Sequence, residues 1–220
     1  MTTPQDVLQL SEQLPRITKP RSPRVRHLVR TQDFSREFLE YLFKQAGKVH
    51  DMLLNKEGTE ILRRRCAGTI MLKMFFEVSS RTRLSFESAA VRLGMSVIGM
   101  DDPQRTSSMV KGESFKDTIR TLCHSARPDV IVLRSRRRGD AALAAAVSTV
   151  PIINAGDGRG QHPTQALLDL FTIYSKLGRI DGLSVVIGGD LRNGRTARSL
   201  AYLLSKPNDV RITFVAPGYF

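Results

Sequence analysis

Apolar positions along the chain change period repeatedly, and each change marks an element. Phe38, Leu39, Leu42, Phe43, Ala46, Val49, Met52 and Leu53 recur at the three-and-four spacing of a helix with one buried face, which opens near Ser35. An apolar run over 70–76 predicts a buried strand. It breaks into Ser79-Ser80-Arg81-Thr82-Arg83 and resumes at Phe86, Ala89, Ala90 and Leu93 with helical spacing. A helix therefore begins near 80–82, with Gly94 as its left-handed C-cap. Next the pattern predicts a strand over 96–100, a polar loop over 101–112, a helix over 113–125 and a strand over 129–134. An Ala-rich helix from Gly139-Asp140 to about 149 and a strand over 150–155 follow. Pro163 suits the first position of a helix reaching 177–178. A strand over 183–187, a helix over 195–205 and a strand over 210–215 continue the alternation.

Strands separated by helices of this length predict an α/β fold, a mostly parallel sheet with right-handed crossovers and helices on both faces. In such sheets ligands bind beyond the carboxyl ends of the strands, and the polar motifs fall at those ends. Ser79 to Arg83 follow the strand over 70–76, and Arg134 closes Val130-Ile131-Val132-Leu133. Asn154-Ala155-Gly156-Asp157-Gly158 leads into Gln161-His162-Pro163-Thr164-Gln165, and Gly188 to Thr196 lies between a strand and a helix. The four motifs are expected to converge.

Their chemistry suits an anion. A helix start leaves backbone N–H groups unpaired at the positive end of the helix dipole, so Ser79, Ser80, Arg81 and Thr82 around it make a phosphate socket. The plainer alternative is a serine cap beside solvated arginines. Arg134, directly after a buried run, is either a surface terminus or a ligand group. His162 is either a cap or an imidazole that the dipole keeps neutral and able to donate to a carbonyl oxygen, with Gln165 presenting an amide one turn on. Gly189-x-x-x-x-Gly194-Arg195-Thr196 is one substitution from a nucleotide-binding P-loop. Arg in place of the compact Lys, and the Asp190 carboxylate inside a loop meant for anions, argue against that reading.

Composition changes this picture little. The 41% apolar content is ample for a core, and no run approaches the length of a membrane span. The N-terminus lacks the apolar core of a signal peptide, and Cys66 and Cys123 lack metal-like spacing. Together these predict a cytoplasmic protein with two reduced thiols. The formal charge of +13 invites a nucleic-acid reading. Much of it, however, falls on Arg16, Lys19, Arg21, Arg24, Arg26 and Arg30, in a Pro-interrupted stretch with no acid between Glu12 and Asp33 that reads as an extended tail. The second cluster, Arg134-Ser135-Arg136-Arg137-Arg138, reads as a solvated loop apart from Arg134. With aromatics at 6% and no nucleic-acid-binding signature, no dedicated nucleic-acid function is expected.

The motifs carry a further resemblance. Phe75-Phe76-Glu77-Val78-Ser79-Ser80-Arg81-Thr82-Arg83-Leu84-Ser85-Phe86-Glu87 resembles the Ser-Thr-Arg-Thr-Arg signature of the carbamoyltransferase family, in its aspartate branch. His162 to Ile173 is similar to the family's His-Pro-Thr-Gln motif, and Gly189 to Thr196 to its Gly-Asp-Leu-x-x-Gly-Arg-Thr segment. Thr106 to Thr118 is similar to a family loop that crosses a subunit boundary, with Met109 and Val110 as departures. Arg198 stands where many members have His. Leu168-Asp169-Leu170-Phe171 and Gly194-Arg195-Thr196 disfavour the ornithine branch.

The resemblance spans about 28–215. It implies transfer of a carbamoyl group from carbamoyl phosphate to L-aspartate, in pyrimidine synthesis, with no metal, cofactor or covalent intermediate. It assigns Thr82, Arg134 and His162 to the carbonyl oxygen, and Ser79, Ser80, Arg81, Thr82 and Arg134 to the phosphate. Gln165 takes the carbamoyl amine and Arg195 the aspartate carboxylate, while Ser107 and Lys111 come from an adjacent chain of a homotrimer, Lys111 also meeting aspartate. The implied organisation is a basic tail over 1–26, a carbamoyl-phosphate domain over 27–178 and a partial aspartate-binding α/β domain over 179–220. On that organisation the chain is expected to bind carbamoyl phosphate, with little turnover of aspartate, and to leave the strand over 210–215 as an exposed apolar edge.

Overall fold

The computed structural model describes residues 26–101 and 112–218. The apolar runs of its first part become four parallel strands, β1 (Ile70–Phe75), β2 (Ser96–Asp101), β3 (Val130–Ser135) and β4 (Ile152–Asp157), in the order β2-β1-β3-β4. Period-two alternation sends Leu72, Met74, Ile131, Leu133 and Ile152 to one face, and Met71, Phe75, Val132 and Ala155 to the other. The first face is covered by α4 (Phe115–Ser125) and α5 (Asp140–Val147), the second by α3 (Ser80–Arg92). Right-handed crossovers explain the sides: α3 leads outward from β1 to β2, whereas α4 and α5 lead back the other way. Lys73, a charge within β1, points to the α3 face and pairs with Glu87. Gly99 on β2 stands opposite Lys73, where a Cβ would lie 2.2 Å from Lys73 Cγ.

Of the expected tail over 1–26 only Arg26 falls within the described residues. Arg26 Nη2 donates to Thr149 O, and Leu28 bridges in parallel to Ile153, with Asn154 N donating to Leu28 O at 2.9 Å. Arg30 pairs with Asp33. After a 3-10 turn (Thr31–Asp33) comes α1 (Arg36–Leu53), capped by Ser35 as its pattern predicts. A helix not anticipated from the pattern, α2 (Lys56–Arg63), follows, with Asn55 accepting from Gly58 N at 2.7 Å. Only Gly58 and Leu62 are buried in it, too few for a periodic signal.

Two expectations shift on detail. The strand expected from residue 150 starts later, because the Ser148 hydroxyl bonds both the N–H and the carbonyl of Val150 in a turn. In α3 only Ala90 of the expected buried face is fully buried, and Ala89 is exposed. Phe86 packs half-buried against the same core.

α6 (Pro163–Leu177) ends at Gly178 in the left-handed region and leads to a second, two-stranded parallel sheet. That sheet is β5 (Ser184–Gly188) and β6 (Arg211–Val215), joined by α7 (Arg195–Leu204). Leu39 and Phe43 of α1, Leu170 of α6, Ile187 of β5 and Leu203 of α7 share one core cluster, so the two sheets are tied through helices. Arg36 adds a two-pronged bond to Asp181, at 2.8 and 2.7 Å. Phe214 and Val215 on β6 are more than half exposed, the apolar edge expected there. No helix among the described residues is long and apolar enough to cross a membrane.

Candidate active site

β1 leads to β2 on one side while β3 pairs with β1 on the other, so the chain reverses its direction of travel between β1 and β3. A sheet opens a crevice at such a switch point. A cavity of about 650 Å³ lies there, lined by Ser79, Arg81 and Thr82 from the start of α3, Arg134 from β3, His162 and Gln165 from the start of α6, and Arg195 from α7. Four separate motifs thus meet, as their positions at strand ends predict. Ser80 is exposed and outside the lining. Ser107 and Lys111 lie outside the described residues.

The helix starts differ in a way that matches this placement. α1, α2 and α4 are each capped by a Ser or Asn side chain and carry an acid in the first turn. α3 and α7, which face the cavity, have neither. Ser79 Oγ turns instead to Thr82 Oγ1 at 3.0 Å. The free N–H groups of the first turn of α3 and its dipole are left to whatever anion enters.

Arg134 is almost wholly buried. Nη1 donates to Ala155 O at 2.9 Å, Nη2 lies 3.1 Å from Glu77 Oε1, and Nε has no hydrogen-bond partner among the described residues. Arg195 shares the same acid, Nη1 donating to Glu77 Oε2 at 3.0 Å and to Gly158 O at 2.9 Å. Gly156 admits both guanidiniums: its φ is +116°, and a Cβ would lie 2.9 Å from Arg134 Nη1 and 3.2 Å from Arg195 Cζ. Burial pushes the Glu77 carboxyl up, but the bond from Arg195 and the charges of Arg134 and Arg195 hold it below the ordinary range. Burial and the charge of Arg195 lower Arg134, opposed by Glu77. Two guanidiniums against one carboxylate leave the cavity positive.

His162 caps α6 with Nδ1 accepting from Gln165 N at 3.3 Å, which places the ring proton on Nε2. Burial first, then the charges of Arg134 and Arg195 against that of Glu77, lower its pKa to about 4. The imidazole is neutral, as its position suggests, with burial as the largest cause. Gln165 Nε2 donates to Asp169 Oδ1 at 2.9 Å, leaving Oε1 as an acceptor. Behind His162, its N–H donates to the buried Ser199 Oγ at 3.0 Å.

The P-loop reading fails on geometry. Asp190 Oδ1 accepts from Asn193 N at 3.0 Å and closes the loop on itself, and Arg195 turns away to Glu77. Glu77, Ser199 and Arg198 are given no role in the sequence reading. Glu77 sits inside the first motif, and a lone acid beside a cluster of arginines is the signal that points to it.

Residues 26–175 match the family model of the aspartate/ornithine carbamoyltransferase carbamoyl-P binding domain. The chain is 47% identical over 191 residues to aspartate carbamoyltransferase 1, chloroplastic, of Pisum sativum, covering 87% of this chain and 48% of that protein. It is 47% identical over 193 residues to the aspartate carbamoyltransferase catalytic subunit of Methanocaldococcus jannaschii, covering 88% and 61%. The structure of Trypanosoma cruzi aspartate transcarbamoylase with carbamoyl aspartate and phosphate superposes with a TM-score of 0.79 at 40% identity, over 88% of this chain and 61% of that one. The chain thus spans about half the length of the plant relative and about three fifths of the other two. Because the matched residues contain the helix start, Arg134 and His162 that build the cavity, the chain belongs to the aspartate/ornithine carbamoyltransferase family.

Proposed function

We propose that the cavity binds carbamoyl phosphate and serves transfer of its carbamoyl group to L-aspartate, giving N-carbamoyl-L-aspartate and phosphate. The observation that carries this is the meeting of an uncapped helix start, a buried arginine and a neutral imidazole in one positive cavity. The phosphate sits on Ser79, Arg81 and Thr82, with Arg134 reaching the bridging side. The carbonyl oxygen takes bonds from Thr82, Arg134 and His162 Nε2–H, and the carbamoyl NH₂ donates to Gln165 Oε1. The aspartate amine attacks the carbonyl carbon. The oxyanion that forms is held by donors fixed before the reaction, and its collapse breaks the bond to the phosphate oxygen, which leaves with the electron pair and accepts the amine proton. Arg195 receives an aspartate carboxylate, as its planar fork suits.

The Trypanosoma cruzi structures with carbamoyl phosphate and with aspartate support the ligands, and the aspartate carbamoyltransferases among the relatives support the acceptor. A homotrimer with Ser107 and Lys111 donated across the interface belongs to the proposal, supported by the exposed apolar side chains of Val78, just before α3, and of Leu84 and Val91 on it. A cytoplasmic location belongs to it too, supported by the two free cysteines. The test is a radiochemical assay for carbamoyl aspartate, sensitive to the slow turnover expected of this chain, in wild type, Arg81→Ala and Lys111→Ala chains, then in mixtures of the two variants. Activity lost in each and partly regained in hybrid oligomers is expected. Activity that survives Arg81→Ala would contradict the reading.

A further inference from the structure

α7 meets the loop between β4 and α6 along one helical face. Arg195, Arg198 and Ser199 stand at positions that line up on a helix, and they hold the loop almost residue by residue. Arg195 Nη1 donates to Gly158 O, Arg198 Nη1 donates to Arg159 O at 2.6 Å and more weakly to Gly160 O at 3.4 Å, and Ser199 Oγ accepts from His162 N. Arg198 Nη2 donates to Arg192 O at 3.1 Å, so one guanidinium joins the β4–α6 loop to the β5–α7 loop. The loop's own ties, Asp157 Oδ1 accepting from Gln161 N and Gly160 N donating to Asp157 O, fix it to β4. They leave its outer carbonyls to α7. Position 160 has no room for a side chain, since a Cβ there would lie 2.3 Å from Asp157 Oδ1.

We infer that Arg198 is a positioning residue: by holding the carbonyls of Arg159 and Gly160 it fixes the loop that presents His162 to the cavity, and makes that placement depend on α7. The inference rests on the reading of His162 as the donor to the carbonyl oxygen. Its physical content is the fork of the guanidinium. A planar group with donors on two arms spans carbonyls of two loops, whereas a lysine ammonium reaches one at a time. In this way α7 acts on the imidazole of the first unit through Arg198, a residue outside the lining of the cavity.

The test reads His162 directly. The charges acting on it come from Arg134 on β3, Arg195 on α7 and Glu77 after β1, and burial is the largest cause of its low pKa. Arg198 acts on it through the loop. The four histidines of the full chain are followed by NMR across pH in wild type, Arg198→Ala and Arg198→Lys, with His162→Gln for assignment. Release of the loop admits water, so in Arg198→Ala the His162 pKa is expected to climb from about 4 toward the ordinary imidazole value of about 6.5, with a smaller rise in Arg198→Lys. A His162 titration unchanged in both variants, with only a lower melting temperature, would overturn the inference and leave Arg198 a stabilising contact. Should Arg198→Ala fail to fold, Arg198→Lys alone decides by the same readout. Wild type that fails to bind carbamoyl phosphate while His162 still moves in Arg198→Ala would sink the functional reading and keep the positioning role.

Discussion

Glu77 holds Arg134 and Arg195 with one carboxylate, its two oxygens lying 3.1 Å from Arg134 Nη2 and 3.0 Å from Arg195 Nη1. The bridge ties the end of β1 to the end of β3 and to the first residue of α7. Both cations are poorly solvated, so each depends on that acid for compensation.

Glu77→Gln keeps the shape and removes the charge, leaving two like charges facing each other. It is expected to destabilise the chain by about 2 kcal/mol, below the scale of breaking a fully buried ion pair because Glu77 is half-buried. Inorganic phosphate is expected to raise the melting temperature of this variant more than that of wild type, because the anion replaces the missing carboxylate. Equal rises in thermal melts would mean that the arginines do not address the anion.

Arg195→Ala separates the two halves of the cavity. Affinity for a compound bearing both a phosphonate and a dicarboxylate is expected to fall roughly 30-fold, on the order of 2 kcal/mol for a lost charge-assisted pair. Affinity for inorganic phosphate is expected to change far less, since the start of α3 and Arg134 remain. Parallel losses for both ligands in calorimetry would place Arg195 on the phosphate instead.

His162 takes up its proton near pH 4 in the fold, against about 6.5 for an exposed imidazole. The unfolded chain therefore binds that proton first as pH falls. The stability this residue contributes is fully present above about pH 6.5 and is lost progressively down to about 4. Glu77, held below ordinary carboxylates, adds a loss that sets in lower, as pH falls through the carboxylate range. Denaturant melts between pH 7 and 4.5 are expected to show a slope that flattens in His162→Gln. An unchanged slope would mean that His162 titrates alike in both states.

What could be read from the sequence follows from the range of the forces involved. Ser79, Arg81, Thr82, Arg134, His162 and Gln165 were legible because each stands beside the apolar run or helix that positions it, and parallel topology sends all strand ends to one side. Glu77 and Arg198 were not, because their roles are made by partners distant in sequence: Glu77 meets Arg195 across 118 positions, and Arg198 meets Gly160 across 38. Periodicity names a face but not what lies against it. For the same reason Ala89, apolar and correctly spaced, was expected in the core and lies on the cavity wall. α2 escaped notice because its Asn55 cap was available to be read but its buried side is too small to leave a pattern.

The binding of carbamoyl phosphate at the start of α3 is tested most directly by calorimetric titration of wild type and Arg81→Ala with that ligand, followed by L-aspartate in its presence. Saturable binding that inorganic phosphate competes away is expected in wild type, weakened by about 2 kcal/mol, or roughly 30-fold, in Arg81→Ala. No binding by wild type, or equal affinity in the variant, would contradict the assignment.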